Sequence, residues 1–143
     1  MRDEASAATA EVALGPLDDS LGFLLRIAQL QSFEEFYAEL GDTVGRPGET
    51  SVLLVLGENP GIRQGVLANA LRIKRAHMAK MVRALEEGGL IARHVPPDDR
   101  RAQALVLTEA GKDRVAALRA QVARHEARPL PQLSKTEEAQ LKQ

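Results

Sequence analysis

Between Asp18 and about Leu40, apolar residues return at steps of three and four: Phe23, Ile27, Leu30, Phe33, Tyr37 and Leu40. That period places them on one wide face of a helix, which Gly41 ends. Pro47 suits the first turn of a second helix, where no amide donor is needed, and the helix runs through the apolar Val52–Leu56 to Gly57. Asn59-Pro60-Gly61 marks a turn. Two short helical patterns follow, Ile62 to about Leu71 and about Lys74 to Glu87, the second closed by Gly88-Gly89. Within the second, Met78, Met81, Val82 and Leu85 fall on the side that anchors to a core. Ile91–Val95 and Ala102–Leu107 read as short strands, with the turn Pro96–Arg101 between them. Thr108 caps a helix that opens with Glu109 and continues to about Ala127, before Pro129 and Pro131. Ser134-Lys135-Thr136-Glu137 is a capping box that opens a last helix. Residues 1–16 are Ala-rich, acidic and closed by Gly15-Pro16, the composition of a flexible arm.

Two short helices with almost nothing between them have the helix-turn-helix arrangement, whose second helix can enter a major groove. The two strands form a hairpin wing beside it. A length of 143 residues holds one such domain, with or without an appended dimerisation region, and excludes a long multidomain enzyme. Charge is segregated along the chain. Residues 1–60 carry 3 bases and 11 acids, residues 61–107 carry 9 and 4, and residues 108–143 carry 7 and 5, so a net charge of −1 conceals a basic island. Such an island is the electrostatic footprint of a polyanion-binding module, although a solvated surface can reach the same composition. The absence of cysteine removes disulfides, thiolate zinc sites and thiol redox sensing. No apolar run approaches the ~18 residues of a membrane span, and Met1-Arg2-Asp3-Glu4 followed by alanines is not a signal peptide. The expected location is cytoplasmic, with no membrane partner.

Residues 99–111, from Asp99-Arg100-Arg101-Ala102-Gln103 through the strand to Leu107-Thr108-Glu109-Ala110-Gly111, resemble the wing signature of the MarR-type winged helix-turn-helix transcriptional regulators. That signature is Asp-x-Arg, a strand, then Leu-Thr-x-x-Gly. Leu67-Ala68, the run Val82-x-x-Leu85-Glu86-x-x-Gly89-Leu90-Ile91 and Leu133-Ser134 extend the resemblance over about residues 20–143. It implies a mainly α fold with a small β-hairpin, in the order α-α-α-α-β-β-α-α, and an intertwined homodimer held by the first and last helices. On this pattern residues 1–16 are the arm, 17–58 the dimerisation and ligand-pocket helices and 59–107 the winged helix-turn-helix. Residues 108–143 are then a long helix plus the last dimerisation helix. Where the family often places Ser, Thr or Asp at the starts of its helix-turn-helix helices, this chain has Arg63 and Lys74-Arg75-Ala76-His77. Each missing cap costs about 1 kcal/mol, and cations replace small hydroxyls.

The implied partner is double-stranded DNA, read as an inverted repeat by a two-fold dimer whose recognition helices lie ~34–36 Å apart. Lys74, Arg75, His77 and Lys80 occupy the first two turns of the recognition helix, the part that reaches base edges. Arg75 is the candidate base reader, because a guanidinium bonds guanine O6 and N7 together, while Lys74 and Lys80 suit phosphates. In the wing, Asp99 is short enough to brace the turn and Arg101 long enough to enter a minor groove, with Arg100 and Arg93 flanking it on phosphates. Two adjacent acids would repel a phosphate, so at least one is an internal partner of an arginine. The plain alternatives are a solvated helix face and a surface ion pair worth about 0–1 kcal/mol.

Similar regulators release DNA when a small molecule binds between the dimerisation helices and the winged domain. Stepping about 100° per residue, Arg26 falls among Phe23, Leu30, Phe33 and Tyr37. A cation there needs a partner. An anionic ligand would supply one, with the aromatic side chains packing its apolar part and Gln29 near enough to hydrogen-bond. An acid of the other subunit, or water reached by snorkelling, would also satisfy it. The resemblance implies effectors such as aromatic carboxylates or their coenzyme A thioesters; neutral phenolics or drugs, and a winged protein-interaction module without effector, are the alternatives. His77, His94 and His125 are scattered, with no His-Glu-x-x-His, phosphate-cradling loop or nucleophile elbow, so no catalytic residue, metal or cofactor is expected. His94 with Asp98 or Asp99 is the one arrangement weighed for a metal, and a turn histidine is more often a DNA contact or plain surface.

Overall fold

The computed structural model describes residues 12–40, 48–95, 104–128 and 133–143. The elements are α1 (Leu21–Leu40), α2 (Glu49–Glu58), β1 (Ile62–Arg63), α3 (Gln64–Ala70), α4 (Arg75–Glu87), β2 (Ile91–His94), β3 (Ala104–Leu107), α5 (Glu109–Glu126) and α6 (Lys135–Leu141). A single 3-10 turn, Gly15–Leu17, precedes α1. Residues 1–11 of the arm expected over 1–16, the end of the first helix at Gly41 and the placing of Pro47 lie outside the described residues. The chain divides into two compact units, Met1–Ala38 and Glu39–Gln143.

The second unit is built around α2, which packs on α5 and β3. Val52, Leu56, Leu67, Met78, Val82 and Leu118 are all sealed from solvent. Each such side chain contributes about 1.5–3 kcal/mol through burial. As the periodicity predicts, Met78, Met81, Val82 and Leu85 form the inward side of α4. Thr108 caps α5 by accepting the Gly111 N–H at 3.0 Å, and its hydroxyl donates to the Gly89 carbonyl at 2.6 Å. These bonds, with Thr108 N–H to the Leu90 carbonyl at 3.0 Å, tie the start of α5 to the turn that ends α4. Gly111 is needed there, because a Cβ at its position would lie 1.9 Å from the Leu90 oxygen. The capping box at Ser134 and Glu137 is formed.

Three expectations are corrected. The sheet has three strands in the order β1-β3-β2, not a two-stranded hairpin alone. Ile62 and Arg63, expected to begin a helix, are extended: Gly61 turns the chain with φ +87° and donates to the Leu105 carbonyl at 2.8 Å, which sets Ile62 opposite Leu105 and Arg63 opposite Ala104. A two-residue strand is too short to leave a period-two pattern in the sequence. Helix α4 begins at Arg75 with Lys74 as its N-cap, in keeping with the start expected at about Lys74. Finally, α1 does not have a single apolar face. Leu21 and Leu25 are 72% and 50% exposed on the side away from Leu30 and Phe33, so apolar side chains emerge around the whole helix, interspersed with Arg26, Gln29, Gln31, Glu34 and Glu35. No residue of α1 through Ala38 is buried.

Candidate nucleic-acid interface

Helix α4 turns its apolar side to the core, and its other side therefore carries the polar residues of the same turns outward. Arg75, His77 and Lys80 are all exposed, and Lys74 stands exposed at the N-cap. Neither Lys74 nor Arg63, the N-cap of α3, forms a side-chain cap, so the departure read from the sequence is present at both helix starts. The turn between α3 and α4 closes through Ile73 N–H donating to the Ala68 carbonyl at 2.9 Å, and Arg72 there takes φ +56°. A side-chain-bearing residue in this left-handed region costs roughly 1–2 kcal/mol.

An open depression of about 510 Å³ joins the two helices; Arg63, Gln64, Val66, Asn69 and Arg75 are among its lining residues. It sets two guanidiniums and two amides on one surface around an exposed apolar side chain, Val66. Guanidiniums and amides are donors to phosphate oxygens, and an apolar side chain can meet a thymine methyl. The register adds a neighbour, since Arg63 and His94 both pair with Ala104, from opposite sides of β3, and so share one sheet face. The periodicity singled out Arg75 but not Gln64, Val66 or Asn69. Their common surface arises from β1 turning into α3, which the sequence pattern does not mark.

Arg93, expected to flank the wing on phosphates, is engaged within the protein. Its Nε donates to Glu86 at 3.0 Å and its Nη1 to Gln64 at 3.4 Å. Asp99, Arg100 and Arg101 lie outside the described residues, as do Asp98 and the turn itself. Among the described residues no three His, Cys, Asp or Glu side chains gather as metal ligands, and no helix is long and apolar enough to cross a membrane.

The expected effector residues belong to the first unit. Along α1, Arg26, Gln29, Leu30 and Phe33 are exposed while Phe23 and Tyr37 are half-buried. Tyr37 meets Phe33 edge-on with ring centroids 6.2 Å apart, and Phe36 at 5.3 Å. Phe36 was not among the expected residues, because it falls outside the sector around Arg26. With one Tyr, three Phe and no Trp, the chain carries every aromatic side chain it has on α1.

Residues 46–102 match the model of the MarR family. The chain is 37% identical over 123 residues to a protein of Thauera aromatica described as a transcriptional regulatory protein for the hcr operon, covering 85% of this chain and 74% of that one. It superposes on the transcriptional repressor CouR bound to a 23-mer DNA duplex with a TM-score of 0.81 and 37% identity, over 93% of this chain and 94% of the other. With CouR bound to p-coumaroyl-CoA the TM-score is 0.81 and the identity 35%, over 92% and 93%.

Proposed function

The chain belongs to the MarR family of DNA-binding transcriptional regulators, and from that premise we propose that it is a homodimeric repressor of an inverted-repeat operator, released by an aromatic acyl thioester of coenzyme A. The observation that carries the reading is the outward row Lys74, Arg75, His77 and Lys80, standing on a recognition helix whose opposite side is locked into the core. Likeness to a repressor seen both on a DNA duplex and with p-coumaroyl-CoA supports the partner and the effector class. In this reading Arg75 bonds a guanine edge, while Lys74, Lys80 and the wing's Arg100 and Arg101 hold phosphates, with Asp99 bracing the wing.

Duplex rather than single-stranded nucleic acid is the proposed partner, supported by residues 38–143 containing no Phe, Tyr or Trp to form a base-stacking platform. Dimerisation explains the surfaces of α1 and α6. Neither has a buried described side chain, and α1 leaves Leu21, Leu24, Leu25, Leu30 and Phe33 exposed, apolar surface that a partner would cover. Two copies interlocked through these helices would cover both. Arg26, among Phe23, Leu30, Phe33 and Tyr37 with Gln29 nearby, is the anchor for the effector's negative charge.

Selection from a random duplex pool tests the first half: the protein should enrich an inverted repeat and hold it at ~150 mM salt far more tightly than unselected DNA. Equal affinity for both would leave only the electrostatic attraction and overturn specific repression. Titration of the selected complex with p-coumaroyl-CoA, p-coumarate and coenzyme A tests the second half. Release is expected with the thioester and is lost in Arg26→Ala; release that survives this substitution unchanged removes Arg26 as the anchor.

A further inference from the structure

The strand register fixes which way Arg93 points. Ile62, Leu105 and Arg93 lie side by side across β1, β3 and β2, and laterally paired residues share a sheet face. Leu105 is fully buried, and Ile91, two residues before Arg93 and therefore on the same side, is 2% exposed. Arg93 thus leaves the sheet on its core side, at the rim where its side chain stays partly exposed. It finds acceptors on two helices: Glu86 in the last turn of α4 at 3.0 Å and Gln64 at the start of α3 at 3.4 Å. The Arg93 and Glu86 side chains are 30% and 38% exposed, whereas Arg83 and Glu87 of the pair on the same helix are 78% and 66% exposed.

The geometry points to Arg93 as a positioning residue that fastens wing strand β2 to the recognition helix and to α3 at once, instead of contacting a phosphate itself. Its rigid fork suits the task, since two N–H groups on one plane serve two acceptors on different elements. Glu86 neutralises it locally, so the fastening adds order to the interface and little attraction. What it sets is the reach of the wing relative to the outward side of α4. This role rests on the DNA-binding reading, and the test separates the two.

Glu86→Gln removes a negative charge from a basic surface at almost constant shape. A phosphate-seeking Arg93 would be freed by it and bind DNA more tightly. Fastening predicts the opposite: about three- to tenfold weaker binding to a duplex that the wild type has selected from a random pool, with the slope of log K against log[salt] unchanged. Arg93→Lys should weaken binding similarly, because an ammonium cannot span both acceptors, while a simple phosphate contact would tolerate the lysine. In the DNA-free Glu86→Gln protein, amide hydrogen exchange in β2 and β3 should quicken about three- to tenfold while that in α5 stays unchanged. Binding that is equal or tighter in Glu86→Gln, or unchanged exchange in β2 and β3, overturns the fastening role. Failure of the wild type to select any duplex overturns the DNA reading instead, and the exchange measurement still decides the role of Arg93.

Discussion

The two units solve the problem of burial in opposite ways. The second closes a core from Val, Leu, Ile, Ala and Met alone, with Leu56, Leu67, Met78 and Leu105 sealed from solvent. The first carries all the aromatic side chains and leaves Leu21, Leu25 and Phe33 exposed. A reader of DNA needs a scaffold that holds its side chains still, so its core is complete within one chain. On the proposed reading, α1 meets a second copy or an effector, and its large apolar groups are available for that. Aromatic rings suit that use, since they offer much contact area at low entropic cost.

The largest expected effect breaks this contrast directly. Leu105→Ala empties a fully buried position and should cost about 3–4 kcal/mol, with a loss of thermal stability that does not depend on protein concentration. Leu25→Ala removes the same atoms from a half-exposed position on α1. If α1 packs against a second copy, as proposed, the effect should grow as the protein is diluted. Calorimetric melting at several concentrations measures both, and a concentration-independent penalty for Leu25→Ala would mean that α1 is buried within its own chain. The chain's single tyrosine sharpens the reading further: Tyr37 emission reports on α1 alone.

Gly111→Ala is next. The added methyl group would need the space of the Leu90 carbonyl oxygen, 1.9 Å away, and that oxygen belongs to the backbone and already accepts the Thr108 N–H. Overpacking against backbone should cost about 2–3 kcal/mol, read as a lower midpoint in urea. Melting as in wild type would show that the turn and α5 can separate freely.

Arg75→Ala follows with a different signature, because it acts on binding rather than stability. If Arg75 bonds a guanine edge, as proposed, its loss should weaken the selected duplex by about ten- to hundredfold and relax preference at one base pair of each half-site, with the melting temperature unchanged. Lys80→Ala should weaken all duplexes more uniformly and lower the salt slope by about one. A uniform loss in Arg75→Ala would reassign that residue to a phosphate.

What the sequence revealed follows the same division. The helix-turn-helix pattern, the inward Met78, Met81, Val82 and Leu85, and the caps at Thr108 and Ser134 were legible because each is a local pattern with a local cause. The strand Ile62–Arg63 was not, since only its pairing with β3 makes it extended. The surface of Gln64, Val66 and Asn69, and the turning of Arg93 towards Glu86, are products of register between distant segments. For α1 the three-and-four period was present but incomplete as a guide. Leu21 and Leu25 lie outside the sector it selected, and a helix with apolar residues spread around its circumference yields a three-and-four series on more than one side.

Helix α6 offers the finest test, because it belongs to the second unit in sequence yet, like α1, has no buried side chain. Its start rests on hydrogen bonds instead. The Glu137 carboxylate accepts the Ser134 backbone N–H at 2.8 Å and the Ser134 hydroxyl at 2.7 Å, and these bonds hold its carboxyl below the ordinary glutamate value of 4.5. A group whose folded value is depressed stabilises fully above its unfolded value and loses that contribution as pH falls through the folded one. The cap should therefore be intact at neutral pH and open as pH falls below about 4.5, seen as a lower protection factor of the Ser134 amide relative to its intrinsic exchange rate at each pH. Glu137→Gln should remove this pH dependence, whereas Ser134→Ala should only weaken it, because the backbone N–H at position 134 still donates to the carboxylate; neither should alter α4 or α5. If the start of α6 instead keeps its protection in acid, contacts other than the cap hold it, and α6 shares the self-sufficiency of the winged core rather than the dependence of α1.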